Sequence, residues 1–126
     1  MEPQRVAVIA GGRTPFIRAG KAFKDLGPLA MSVHAVKGLL DRYQVDANMI
    51  EALAFGTMVP DPGKPNLARE LVFETGFPAH IEAQTVASYC ITGLRTITLI
   101  ADAIAEGRID TGLAGGVDSL SHSSPD

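Results

Sequence analysis

The sequence has no tryptophan, few other aromatics and one cysteine, Cys90. A single cysteine excludes an intramolecular disulfide, so nothing ties the chain to an oxidising compartment and a cytoplasmic location is expected. The paired spacings that zinc needs are also missing, because the three histidines, His34, His80 and His122, are scattered; no metal site is expected. A net charge of −3 supplies no basic field, and no stretch interleaves Lys or Arg with aromatics, which argues against a nucleic-acid partner. No apolar run is long enough to span a bilayer: the longest, residues 91–105, carries Arg95 and Asp102. The amino terminus passes straight into residues 5–10 without a basic segment, a long apolar segment or a small-residue cleavage site, so no secretory signal is expected.

What remains is an ordinary globular composition. The 126 residues fit one domain, and 46% hydrophobic against 20% charged residues argues against disorder. Strand and helix signals alternate along the chain. Residues 6–10 form a continuous apolar run closed by Gly11 and Gly12, which predicts a first strand buried on both faces. Residues 13–27 have no period and read as a long surface loop. From Pro28, the positions Leu29, Val33, Val36, Leu40 and Tyr43 recur at helical spacing. A short helical turn over 47–51 leads into a second apolar strand over 52–59, ended by Pro60. Asn66 is placed to cap a helix carrying Leu67, Leu71 and Val72, with Gly76 as its carboxy-terminal cap.

Residues 83–87 predict a third strand. The helix after Cys90 is the clearest in the chain, with Leu94, Ile97, Ile100, Ala101 and Ile104 as its inward stripe and Gly107 as its stop. Residues 110–117 predict a fourth strand whose glycines permit close backbone approach, and residues 123–126 read as a polar turn leading out of the fold. Strands alternating with helices in this way imply an α/β fold with a mostly parallel sheet flanked by helices.

Cys90 is the candidate for chemistry, because it follows a strand and precedes a strong amphipathic helix. Unpaired N–H groups and the positive end of the helix dipole favour negative charge there, and the same N–H groups suit a developing oxyanion. The alternative is a small buried hydrophobe, which on spacing alone is the commoner state of a lone cysteine. A nucleophilic thiol also wants a base and an acid. His34 falls off the apolar stripe of its helix, His80 lies in a loop after Pro78, and His122 follows the last strand, where a turn residue is the simpler reading. Neither Gly11-Gly12 nor Gly115-Gly116 matches a dinucleotide fingerprint. Arg13 could meet a carboxylate or a phosphate, with a structural ion pair the preferred expectation.

The segment Thr85-Val86-Ala87-Ser88-Tyr89-Cys90-Ile91-Thr92-Gly93-Leu94 closely resembles the nucleophile region of thiolases: a strand, the reactive cysteine, then a small residue and a glycine opening a helix. Gly11-Gly12-Arg13-Thr14-Pro15-Phe16 resembles the thiolase motif after the first strand, and Ala114-Gly115-Gly116-Val117-Asp118-Ser119-Leu120-Ser121 resembles the Gly-Gly strand that ends in a Met/Leu-Ser turn. These motifs stand in the family's order, and the resemblance runs from about Arg5 to the end. Phe55-Gly56-Thr57 with Asn66-Leu67-Ala68-Arg69-Glu70 is similar to the branch containing the thiolase subunit of fatty-acid oxidation complexes. Ketosynthases share the fold and the cysteine before a helix, but the Arg-Thr-Pro motif and the Gly-Gly-Val-Asp-Ser-Leu-Ser stretch favour thiolase.

The resemblance implies a layered thiolase-like fold and an acetyl-CoA acyltransferase of fatty-acid β-oxidation. In that chemistry Cys90 attacks the keto carbon of a 3-ketoacyl-CoA, acetyl-CoA leaves, and coenzyme A takes the shortened acyl group; the reverse is a Claisen condensation. A thiolate is both a good nucleophile and a good leaving group, so one side chain serves both half-reactions. Acyl-CoA and coenzyme A are then substrates, no cofactor is needed, and no residue is assigned to binding them. The implied assembly is a homo-oligomer or a subunit of a fatty-acid oxidation complex. Two departures matter. Ser88 stands where thiolases commonly have asparagine, and the family's catalytic histidine, its second cysteine in Cys-x-Gly-Gly and its Asn-Glu-Ala segment are not among these residues. Residues 1–126 are therefore expected to be a partial amino-terminal thiolase domain ending near the start of the family's loop region, inactive alone in full turnover. The alternative is a non-catalytic, truncated interaction module that pairs with a full-length thiolase.

Overall fold

The computed structural model describes residues 2–122. Strands β1 (Ala52–Gly56), β2 (Glu82–Val86) and β3 (Gly112–Gly116) form a parallel sheet in the order β2-β1-β3. Helix α1 (Pro28–Arg42) lies against α2 (Leu67–Thr75) over one face, and α3 (Thr92–Ala105) packs on β1 and β3 from the other. This is the expected α/β arrangement of a parallel sheet flanked by helices.

β1 is the centre of the core, and all five of its residues are buried. Its unbroken apolar run is what a strand covered on both faces requires. Successive side chains point to opposite faces. Leu53 and Phe55 accordingly join Val36 of α1 and Leu67, Ala68, Leu71 and Val72 of α2, while Ala52 and Ala54 meet Ile100 of α3.

The helix ends follow local chemistry. Pro28 opens α1, where its missing N–H costs no hydrogen bond. Asn66 caps α2 by accepting from the Arg69 N–H at 3.0 Å, and Gly76 closes it at φ 77°, in the left-handed region where a Cβ is penalised. Arg69 then turns back to donate to the carbonyls of Ala79 and Ile81, bracing the loop into β2.

Two expectations are corrected. Residues 6–10 do not form a strand: the sheet has three strands, and Val8 and Ile9 are 84% and 82% exposed. A parallel strand needs apolar cover on both faces, and Val8 and Ile9 have none. Instead the Gln4 N–H bonds the Ala105 carbonyl at the end of α3. Part of the stripe assigned to the inside of α3 is also outside, although Ile100 is buried and Ala101 and Ile104 are half-buried. Thr92, Thr96, Ile100 and Ala103 are buried, whereas Leu94 and Ile97 are 66% and 47% exposed. The reason is room. A Cβ at Gly56 would collide with Thr92 and the Val86 carbonyl, and one at Gly112 would come within 2.7 Å of Ile100. The helix sits so close to the sheet that only small or branched, compact residues fit between them. The polar turn expected at 123–126 lies outside the described residues.

Two substitutions test this close packing. Gly56→Ala should destabilise the fold by about 1–3 kcal/mol in urea denaturation, since an added methyl has no space there. Thr96 is fully buried and its hydroxyl lies 2.8 Å from the Gly93 carbonyl and 3.1 Å from the Gly115 carbonyl. Thr96→Val keeps the shape but removes the donor, and should cost about 1–3 kcal/mol by the same measurement; unchanged stability would show that the hydroxyl contributes nothing to helix docking.

Candidate functional site

Parallel pairing brings the carboxy ends of all three strands to one edge of the sheet, the usual place for ligands in such folds. Thr57 and Met58 leave β1 there, residues 87–90 leave β2, and Val117 and Asp118 leave β3. The links across this edge continue beyond the strands: the Thr57 N–H donates to the Val86 carbonyl at 3.2 Å and the Val117 N–H to the Gly56 carbonyl at 2.9 Å.

Cys90 sits in a single 3₁₀ turn, Tyr89–Ile91, that runs directly into α3. The buried Thr92 pins this turn. Its hydroxyl accepts from the Ser88 N–H at 2.8 Å and donates to the Tyr89 carbonyl at 2.7 Å. Between those two anchors Tyr89 takes φ 52°, a left-handed conformation uncommon for an aromatic residue. Such a residue stores about 1–3 kcal/mol of strain and persists only where its surroundings over-determine it. Its ring is exposed, so packing does not account for the conformation. The sharp bend presents the next residue at the sheet edge.

Cys90 is exposed, which overturns the buried-hydrophobe alternative. Its Sγ lies 3.8 Å from Sδ of Met58. It borders an open cavity of about 560 Å³ whose other walls include Phe16, Phe23 and Leu39 and the backbones of Gly93 and Gly116. The loop over residues 13–27 forms one side of this cavity and is tied across it, the Gly20 N–H donating to Ser121 Oγ at 2.8 Å. One oxygen of Asp118 accepts from both the Thr57 hydroxyl at 3.0 Å and the Met58 N–H at 2.6 Å, joining the ends of β1 and β3.

The other residues singled out by sequence fall elsewhere or differ in role. Arg13 borders the Cys90 cavity, but its guanidinium donates to the Thr14 carbonyl and stands over the Phe16 ring at 5.9 Å, in place of the expected ion pair. His34 and His122 border a separate cavity of about 990 Å³ together with Asp61 and Lys64, and His80 is an exposed loop residue. None of the three borders the cavity at Cys90. Among the described residues there is no cluster of three or more His, Cys, Asp or Glu that could hold a metal, and no helix long and apolar enough to cross a membrane.

Thr92, Met58 and Asp118 were missed as parts of this edge. A threonine two residues after the cysteine, at the mouth of a helix, is a legible anchoring signal. Met58 and Asp118 carry no local signal, because their roles arise from partners far away in sequence.

Comparison with known proteins agrees with this geometry. The family profile described as the thiolase N-terminal domain matches residues 6–126. A 3-ketoacyl-CoA thiolase of Shewanella sp. (strain W3-18-1) is 40% identical over 118 residues, covering 94% of this chain and 27% of the relative. One from Escherichia coli (strain 55989 / EAEC) is 39% identical over 117 residues, covering 93% and 27%. Among solved structures, the Acat5 thiolase from Ascaris suum in complex with coenzyme A superposes with a TM-score of 0.85 at 20% identity, over 91% of this chain and 30% of that one. The acetyl-CoA acetyltransferase of Bacillus anthracis gives 0.81 at 24% identity, over 91% and 29%. The two structures establish the shared fold. This chain spans about a quarter of the length of the curated relatives it matches. A family profile matched over nearly the whole chain, on a fold with the same layers and with the cysteine at the mouth of α3, shows that the chain belongs to the thiolase family, in its amino-terminal domain.

Proposed function

We infer that this chain supplies the nucleophile of a thiolase-type acyltransferase, and that Cys90 carries the acyl group. The observation that supports this reading best is the exposed Cys90 thiol on a strained turn at the mouth of α3, open to a cavity. A catalytic cysteine must be accessible, and the first turn of a helix leaves backbone N–H groups without intrahelical acceptors that suit an oxyanion.

In the proposed cleavage, the Cys90 sulfur adds to the keto carbon of a 3-ketoacyl-CoA. The carbonyl oxygen takes up negative charge, then the carbonyl re-forms as the bond between the alpha and keto carbons breaks. The two-carbon fragment leaves as the acetyl-CoA carbanion and must receive a proton. Coenzyme A, having given up its thiol proton, attacks the acyl-cysteine, and the sulfur of Cys90 leaves with its electron pair. Both steps need a proton carrier beside the sulfur. The three histidines lie away from the Cys90 cavity, so the 126 residues alone are proposed to lack full turnover. Acyl-CoA and coenzyme A act as substrates, and the name 3-ketoacyl-CoA thiolase of the relatives supports a role in fatty-acid β-oxidation. A free nucleophilic thiol suits a reducing, cytoplasmic compartment.

A second reading, a non-catalytic module that pairs with a full-length thiolase, is favoured by the outer side of α3. Leu94 and Ile97 are exposed there, as are Val8 and Ile9, and the sheet has two open edges. Apolar surface and unpaired edges of this kind call for a partner or a second copy.

Three measurements bear on these readings. Native protein from its source, incubated with acetyl-CoA, should gain one acetyl group by intact mass spectrometry. Cys90→Ala should abolish the gain, and the isolated 126-residue chain should show no thiolysis of 3-ketoacyl-CoA. Acetylation that survives Cys90→Ala would remove Cys90 from the role. Light scattering of the isolated chain should show self-association that Ile97→Arg reduces; a clean monomer would count against the pairing reading.

A further inference from the structure

We propose that Met58 restricts the acyl groups Cys90 accepts to those unbranched at the carbon next to the carbonyl, and that Asp118 is the positioning residue that holds Met58 in place. This rests on the acyl-cysteine reading and adds the substrate class to it.

Nothing in the sheet ladder holds Met58, because β1 ends at Gly56. The Met58 N–H is instead taken by Asp118 at 2.6 Å, and the same carboxylate oxygen accepts from the hydroxyl of the buried Thr57 at 3.0 Å. Hydrogen bonds to an ionised acceptor are stronger than neutral ones. Segment 56–58 is tied on its other side as well, through the Thr57 N–H to the Val86 carbonyl. Its backbone is therefore clamped between the strand that leads to Cys90 and the strand that leads to Asp118.

That clamp decides where a flexible side chain ends. Methionine is unbranched and adapts easily to its surroundings. With a loose backbone its sulfur could swing clear. Held as it is, Sδ rests 3.8 Å from Sγ of Cys90 and occupies one side of the thiol. A thioether has no proton to give and accepts hydrogen bonds weakly, so its effect on an acyl group at Sγ is that of a wall. The chain of such a group can run into the cavity past Gly93 and Phe16. A branch beside the carbonyl stays close to Sγ whichever way the chain runs, and one of its positions meets Met58.

The test uses the 126-residue chain and no acyl-CoA, so it can fail independently of the thiolase reading. Cys90 is acylated with 4-nitrophenyl propanoate and with 4-nitrophenyl 2-methylpropanoate, which is branched at the carbon next to the carbonyl; in each case the S–C bond forms as 4-nitrophenolate leaves. The rate ratio of the linear to the branched reagent is compared with that of free cysteine. The wild-type ratio should be the larger by about tenfold, at the low end of what one methylene of room is worth in a pocket. Met58→Ala should bring the ratio down to the free-cysteine value, and Met58→Leu, which refills the space, should restore it.

Asp118→Ala should lower the ratio as Met58→Ala does, whereas Asp118→Asn, which keeps an oxygen in place, should preserve it. Should Asp118→Ala fail to fold, Asp118→Glu displaces the oxygen while keeping the charge and should lower the ratio instead. A merely structural role would change melting temperature or both rates together and leave the ratio alone. A wild-type ratio in Met58→Ala overturns the specificity role, and one in a folded Asp118→Ala or Asp118→Glu overturns the positioning role.

Discussion

Helix α3 reaches the sheet through residues with almost no side chain, and this close approach governs the position of everything at the carboxy edge. Gly56 has no space for a Cβ beneath Thr92, and a Cβ added at Gly116 would lie 3.5 Å from the Cα of Gly93. Backbone meets backbone at the start of the helix. The turn before α3 is therefore carried over the end of β1, and Cys90 comes within reach of Met58. A few tenths of an ångström of separation here would move the thiol relative to every wall of its cavity.

The strained turn depends on that same docking. Tyr89 stays in its left-handed conformation because Thr92 grips both the Ser88 N–H and the Tyr89 carbonyl, and Thr92 is itself buried against the sheet. A hydroxyl free in solvent would exchange these bonds for water and let the turn relax. Packing, a buried hydroxyl and a strained residue form one chain of cause, and the exposed thiol is its outcome.

Much of the fold was legible before the structure, and for local reasons. Pro28, the Asn66 cap and Gly76 mark helix ends through the needs of their own backbone groups. The apolar run of β1 marks a strand covered on both faces. The errors share one cause. Reading Leu94 and Ile97 as part of the inner stripe of α3 assumed that the most apolar face is the buried one. The opposing strands put glycines at the contact, so fit governed instead, and Thr92 and Thr96 went inside. Residues 6–10 were apolar enough for a strand, but strand formation also depends on cover on both faces, which no local run encodes.

The same division holds for the site. The sequence by itself determined the α/β alternation, the family through motifs in a fixed order, and Cys90 as the one thiol ahead of a helix, because each is a property of neighbouring residues. Only the tertiary structure decided that Cys90 is exposed, that Tyr89 is strained, that the histidines lie away from the thiol, and that Met58 and Asp118 belong to this edge. Met58 is 32 residues from Cys90 and 60 from Asp118. They meet because β1 pairs in parallel with both β2 and β3, and parallel pairing gathers chain ends that sequence order keeps apart.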